Sequence, residues 1–251
     1  MNYTRALKKG HKRCSTEAGH LWTNMKSRFD SARRTETQFA QEQYALVVAN
    51  GERYFRNIGR GAAAWNLREN HMFTTIRRLI AFHGTDARII VWIHNTHAGD
   101  ARASTMSTRH KLSLGQLLRQ AYGDTQVFIT GFGSYAGSVL CGKSWGDTMR
   151  LVNLPPAREG SWEHLLHKQY GSNRFILSET FRNTAGLNGY FPTRAIGVIY
   201  EPATDDYSSY TPSVMARRYD AFIFLDTTSA LHPLPVKTDF QQTPYLFPSG
   251  R

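Results

Sequence analysis

The spacing of apolar positions along the chain changes several times, and each change marks an element. From Glu36 onward, Phe39, Tyr44, Val47, Val48, Tyr54 and Phe55 recur at roughly helical spacing. That pattern predicts an amphipathic helix, broken by Gly59-Arg60-Gly61. Trp65 begins a second unit in which Met72, Ile76, Leu79 and Ile80 form one stripe and Gly84 supplies the stop. The period then collapses. Ile89-Ile90-Val91-Trp92-Ile93 is a continuous apolar run, and with Arg88 it is expected to form a strand buried on both faces. It ends abruptly in His94-Asn95-Thr96-His97-Ala98-Gly99-Asp100. Further on, Ser113 with Gln116 has the form of a capping box, and Leu114, Leu117, Leu118 and Tyr122 give the buried stripe before Gly123. A second apolar run spans Gln126 to Thr130. Two strands joined by a helix of this length predict a parallel βαβ crossover.

Beyond it, Gly137 to Pro156 reads as irregular, Ser161 to Tyr170 as a short helix and Arg174 to Leu177 as a short strand. Arg194 to Tyr200 and Tyr219 to Asp226 are strand-like, separated by a polar, turn-rich stretch from Thr204 to Pro212. The expected fold class is α/β, a mainly parallel sheet with packing helices. Residues 1–35 show no sustained period and are expected to be a poorly defined basic segment. The α/β domain is expected over 36–235, with a peripheral tail at 236–251.

Composition narrows the class. A chain of 251 residues with 41% hydrophobic and 12% aromatic content can bury a substantial core and is not disordered in character. Charges interrupt every apolar run well short of the roughly 18–20 residues of a membrane span, so no membrane partner is expected. Two distant cysteines, Cys14 and Cys141, suit a reducing compartment, and a cytoplasmic protein is the default. The net charge of +12 is partly local, with Arg5, Lys8, Lys9, Lys12 and Arg13 crowding the start and Arg33 and Arg34 further on. No zinc-finger, RNA-recognition or helix-turn-helix pattern accompanies it. A solvated basic surface is the favoured reading over nucleic-acid binding. Oligomeric state is not legible.

Chemistry concentrates after the 89–93 run, because ligands and catalytic groups gather past the carboxyl ends of buried strands. Imidazole titrates near neutrality, so His94 and His97 are candidate acid or base groups. A His-x-x-His pair without a third ligand is a weak metal signal, and no metal or cofactor is expected. Asp100 reads as a carboxylate that orients a histidine. Arg68, after Trp65 at a helix start, is a candidate holder of a developing anion, or else a surface partner of Glu69. Gly131-Phe132-Gly133-Ser134-Tyr135-Ala136-Gly137 lacks the helix of a phosphate loop, and Ser134 lacks the setting of a nucleophile elbow. These glycines read as turn or close-approach positions beside the crevice. Glu163, His164 and His167 read as a helix surface with some substrate contact, and Tyr135, Trp145 and Trp162 as pocket lining or core.

The chain resembles the erythromycin esterase family. The resemblance rests on Trp65-Asn66-Leu67-Arg68-Glu69-Asn70-His71-Met72, on Trp92 to Arg102, and on Gly131 to Gly137. In the same order follow Pro155-Pro156-Ala157, Gly160 to His167, Arg194 to Tyr200 and Arg218-Tyr219-Asp220-Ala221. Together these span about residues 40 to 235. The resemblance implies a metal-independent hydrolase that opens the lactone ring of macrolide antibiotics, or cleaves a related ester by attack of water. It implies catalytic roles for His97, His94 and, less directly, Arg68. Asn95, Asp100, Ser134, Tyr135 and Trp65 are then expected on the substrate side. The family's Gly-Glu-x-x-His-Gly segment finds no match here, so the chain is expected to be a C-terminal portion, incomplete at its N-terminus and weakly active or inactive. A non-catalytic module that binds a small molecule is the alternative.

Overall fold

A computed structural model of the chain describes residues 3–29 and 34–232; the expected tail at 236–251 and Arg33 lie outside the described residues. The first half is helical. α1 (Tyr3–Lys8) and α2 (Ser15–Arg28) occupy the stretch that shows no period in sequence. Their attachment explains why. α2 buries only Ala18 fully, and polar and aromatic contacts add to it: Tyr3 donates to Glu52 at 3.0 Å, and the Arg78 guanidinium lies 4.9 Å from the Trp22 ring. α3 (Glu36–Asn57) begins at a capping box in which Thr35 and Gln38 each bond the other's backbone N–H, at 3.3 and 2.9 Å. The helix forms where the period predicts it, but the buried face is Phe39, Ala45 and Leu46, while Tyr44, Val47 and Val48 stay exposed. α4 (Ala62–His83) lies against α3, with Phe39 and Phe82 stacked at 4.4 Å, and ends at Gly84, whose φ of 96° suits glycine.

The expected strand over 88–93 is corrected. Those residues form no ladder with any described segment, and Ile90 and Trp92 are 95% and 85% exposed. A strand exists only through its neighbours' hydrogen bonds, which local sequence does not supply. The crossover predicted from it is therefore absent among the described residues. Instead the segment borders a groove of ≈ 1150 Å³, shared with Ile76 and Ile80 of α4 and with Ile223 and Leu225.

Downstream, α5 (Asn95–Ala98) is a single turn and α6 (Leu114–Tyr122) runs from its Ser113 cap to Gly123 as expected. β1 (Thr130–Cys141) starts where the second apolar run ends and continues through the stretch expected to be irregular, pairing antiparallel with β2 (Arg150–Leu154). α7 (Trp162–Tyr170) is capped by Ser161, β3 (Arg174–Leu177) follows, and α8 (Ser178–Asn183) turns away from it. The run from Arg194 to Tyr200 is not the predicted strand. β4 (Phe191–Arg194) ends where that run starts, and the Arg194 guanidinium forms a buried ion pair with Asp205 of α9 (Asp205–Ser208). β4 pairs with β5 (Tyr210–Ser213); α10 (Met215–Arg218) and β6 (Ala221–Thr228) complete the described chain.

The main sheet has the order β2-β1-β6-β3. β1 and β6 are parallel, from Thr130 opposite Ala221 to Gly137 opposite Thr228, and the two outer pairings are antiparallel. The α/β class holds, with a mixed sheet built on a parallel central pair. Strand alternation sends Phe222 and Phe224 to the face covered by α7, α8 and α10, where they pack with Trp162, Leu166, Phe181 and Met215. No helix of the described residues is long and apolar enough to cross a membrane.

Unpaired backbone beside exposed Ile90 and Trp92 is a template for self-association. Replacing both by Lys is expected to reduce oligomer and aggregate content in sedimentation velocity while leaving the far-UV circular dichroism unchanged. A sedimentation profile identical to that of the parent chain would contradict this.

Candidate active site

The loop from His94 to Asp100 is held from three sides. His94 caps α5: the Thr96 N–H and hydroxyl donate to its Nδ1 at 3.3 and 2.8 Å. Its Nε2 lies 2.9 Å from the Ile196 carbonyl, which only accepts, so the ring proton sits on Nε2. Asn95 clasps β1, its amide donating to the Phe132 carbonyl and accepting the Phe132 N–H. From the third side α6 presses close at Gly115, where a Cβ would stand 1.8 Å from the Ala98 carbonyl oxygen. Only glycine fits there.

His97 is thereby set against Glu69 of α4. Its Nδ1 lies 2.5 Å from Glu69 Oε1, while Oε2 accepts the Leu114 N–H at 2.9 Å, and the carboxylate is fully buried. A carboxylate accepts only, so Nδ1 carries a proton. Among the described residues Nε2 has no hydrogen-bond partner. The Trp65 ring stacks on the imidazole, 4.7 Å between centroids and 5° between planes, and its Nε1 donates to the Leu112 carbonyl at 2.7 Å. Asn66 secures the same segment by donating to the His110 carbonyl and accepting the Leu112 N–H, both at 2.9 Å. The Arg68 guanidinium lies 5.9 Å from the Trp65 ring and 5.8 Å from that of Tyr54. It does not pair with Glu69, the partner the sequence suggested.

The structure thus brings together His97, Trp65 and Arg68. Sequence reasoning missed the role of Glu69. Its signal was an acid four residues after Trp65 and seven before buried Ile76, on the inward stripe of α4. Other candidates are occupied differently. Both ring nitrogens of His94 are engaged in holding the loop. The packed chain around that ring lowers its pKa, and the nearby charges of His97 and Arg218 act in the same direction against the Ile196 carbonyl. Asp100 orients no histidine. Burial alone would raise its pKa, but Arg102 beside it at 2.6 Å, with Arg119 at 3.6 Å, holds it below the ordinary carboxylate value. Ser134 borders the apolar groove on one face of β1. Tyr135 points to the other, stacked 3.7 Å from His167, whose Nδ1 donates to Asp226 at 2.6 Å. Neither shares the His97 cluster. Among the described residues no three His, Cys, Asp or Glu are grouped to hold a metal.

Beneath the loop lies a buried polar layer. A Cβ at Gly99 would meet Arg218 Nε at 2.6 Å. Arg218 Nε and Nη1, the Tyr219 hydroxyl and Glu163 Oε2 are all buried without a hydrogen-bond partner among the described residues. Glu163 Oε1 accepts the Arg194 N–H at 3.0 Å. Burial pushes the Glu163 carboxyl up to about 7, against the pull of backbone N–H groups and of the Arg194 and Arg218 charges.

The family model described as erythromycin esterase matches residues 1–228, beginning upstream of the motifs on which the resemblance rested. Three solved structures share the fold. A crystal structure of a Bacillus cereus protein superposes with a TM-score of 0.63 at 16% identity, covering 84% of this chain and 50% of the other. A succinoglycan biosynthesis protein gives 0.63 at 15%, covering 86% and 49%. A mutant of the erythromycin esterase EreC in its open conformation gives 0.58 at 14%, covering 85% and 52%. The chain spans about half the length of each.

The Glu163 proton has a consequence for stability. The folded protein holds it more tightly than the unfolded chain does, so its contribution is full below the unfolded value of 4.5 and is lost as pH rises to about 7. Glu163→Gln is expected to flatten the stability profile over that window, measured by urea unfolding at several pH values. A variant whose profile runs parallel to that of the parent would contradict the assignment.

Proposed function

The chain belongs to the erythromycin esterase family, and from that premise we propose that it carries the water-activating side of a carboxylic ester hydrolase. The supporting observation is the His97 imidazole, bonded through Nδ1 to fully buried Glu69 and with no hydrogen-bond partner on Nε2 among the described residues. That is the arrangement a general base requires. In the proposed reaction His97 Nε2 takes a proton from water as the water oxygen bonds to the ester carbonyl carbon. Glu69 stabilises the imidazolium that forms, and the Arg68 guanidinium faces the oxyanion. Collapse of the tetrahedral intermediate breaks the carbon–oxygen bond to the alcohol, which leaves with the proton returned from His97. The products are one acid and one alcohol. In a lactone both remain on one opened molecule.

The substrate proposed is a small ester, and the family name supplies a macrolide lactone as one compound to test. His94 and Asn95 act in this account by positioning, since their polar atoms hold the loop. Asp100 supports the loop through Arg102 and Arg119. A second reading draws on the span of about half the matched chains: a module that binds such an ester and releases it unchanged.

Turnover of 4-nitrophenyl esters and of macrolides, the latter followed by mass spectrometry for one added water, separates the two. Under the hydrolase reading, His97→Ala lowers kcat about a hundredfold or more with little change in KM. Glu69→Gln lowers kcat as well, because the imidazole loses its charged partner. Wild-type turnover by His97→Ala would refute the assignment. Ester bound and recovered intact by the parent chain would favour the binding module.

A further inference from the structure

A recess of ≈ 170 Å³ lies beside the His97 cluster, and its wall includes Trp65, Thr96, Arg109, Lys111, Tyr210 and Thr211. Two of these join it directly to the histidine. Trp65 stacks on His97, and Thr96 precedes it in the loop. No residue of the wall is acidic. Lys111 Nζ lies 5.1 Å from the Trp65 ring, and Arg68 approaches the same ring at 5.9 Å.

The three cations Arg68, Arg109 and Lys111 take part in no ion pair among the described residues. The carboxylates of this region are committed elsewhere: Glu69 to His97, Asp100 to Arg102 and Arg119, and Asp205 to Arg194. Unpaired cations on an open surface are ordinary in a chain of net charge +12. What sets these apart is a concave wall with hydroxyls, an aromatic floor and no competing acid. Field lines from one sign of charge are focused in such a recess, and counter-ions concentrate there.

Resting on the hydrolase reading above, we propose that the ester this site acts on carries an oxyanion, a carboxylate or a phosphoryl group, seated between Lys111 and Arg109. The aromatic face of Trp65 takes the apolar part of the acyl or alcohol chain, and the Thr211 hydroxyl donates to the anion, the Thr96 hydroxyl being committed to His94. The scissile carbonyl is thereby delivered to His97. A substrate with an ammonium group at the same point is repelled.

The test is binding, which does not depend on turnover. Tryptophan fluorescence and calorimetry are used with phenylphosphonate, with benzoate, and with dimethyl phenylphosphonate as the uncharged control. At least one of the two anions is expected to bind about tenfold or more tighter than the neutral ester. Its affinity falls as salt rises from about 50 to about 500 mM. Lys111→Met and Arg109→Met each weaken the anion severalfold and leave the neutral compound unaffected, with unchanged circular dichroism. Equal binding of charged and uncharged compounds, anion binding that survives the double substitution, or no anion binding at millimolar concentration would each overturn the proposal. His97→Gln separates it from the hydrolase reading, since it should abolish turnover and retain the anion. A parent chain that binds the anion but hydrolyses nothing sinks the hydrolase reading alone.

Discussion

One buried carboxylate fixes the arrangement of the candidate active site. Glu69 has no contact with solvent, and its two oxygens serve two different elements, His97 of α5 and the Leu114 N–H that opens α6. Leaving a buried carboxylate without partners costs about 3–5 kcal/mol, so α4, α5 and α6 cannot move independently without breaking that satisfaction. Steric contact enforces the same geometry, since Gly115 lets α6 approach the Ala98 carbonyl more closely than any other residue permits. The result is an imidazole with fixed proton and fixed orientation, the condition under which a positioned base is effective.

The sheet supplies the reference frame for that cluster. β1 and β6 form its parallel centre, and Asn95 clamps the loop to β1 through both hydrogen-bonding positions of Phe132. On the other side Asp220, just before β6, accepts from Arg119 of α6 and from the Ile129 N–H, both at 2.7 Å. Charged side chains thus link helix to sheet where apolar packing is thin, whereas the apolar core lies across the sheet under α7. Polar cross-links of this kind position groups more narrowly than apolar contacts, because each demands a donor, an acceptor and a direction.

Elements whose signal is local were legible in the sequence. Helices α4, α6 and α7 carry their own caps and periods, and β3 and β6 lie where apolar runs predicted them. The failures are all matters of partnership. The 89–93 run has strand composition and no ladder among the described residues, 137–156 has turn composition and contributes to a hairpin, and the 194–200 run leaves its ladder after Arg194. At the site, two histidines at the end of an apolar run gave the place but not the division of labour. Of the two, only His97 has a ring nitrogen without a partner among the described residues, and the role of Glu69 is hidden in sequence because its partner lies 28 positions away. The pairing of Asp100 with arginine is hidden for the same kind of reason, since the proximity of Arg119 is not visible in the chain order.

If Glu69 fixes the His97 tautomer, nitrogen-15 NMR of the imidazole side chains in the intact chain, with His97 assigned through a His97→Gln control, reads it directly. The expected result is a proton on Nδ1, deshielded by its short bond to Glu69, and an unprotonated Nε2; in Glu69→Ala that preference should disappear. A His97 ring with the proton on Nε2 and a bare Nδ1 would contradict the pairing and, with it, the base assigned to this site.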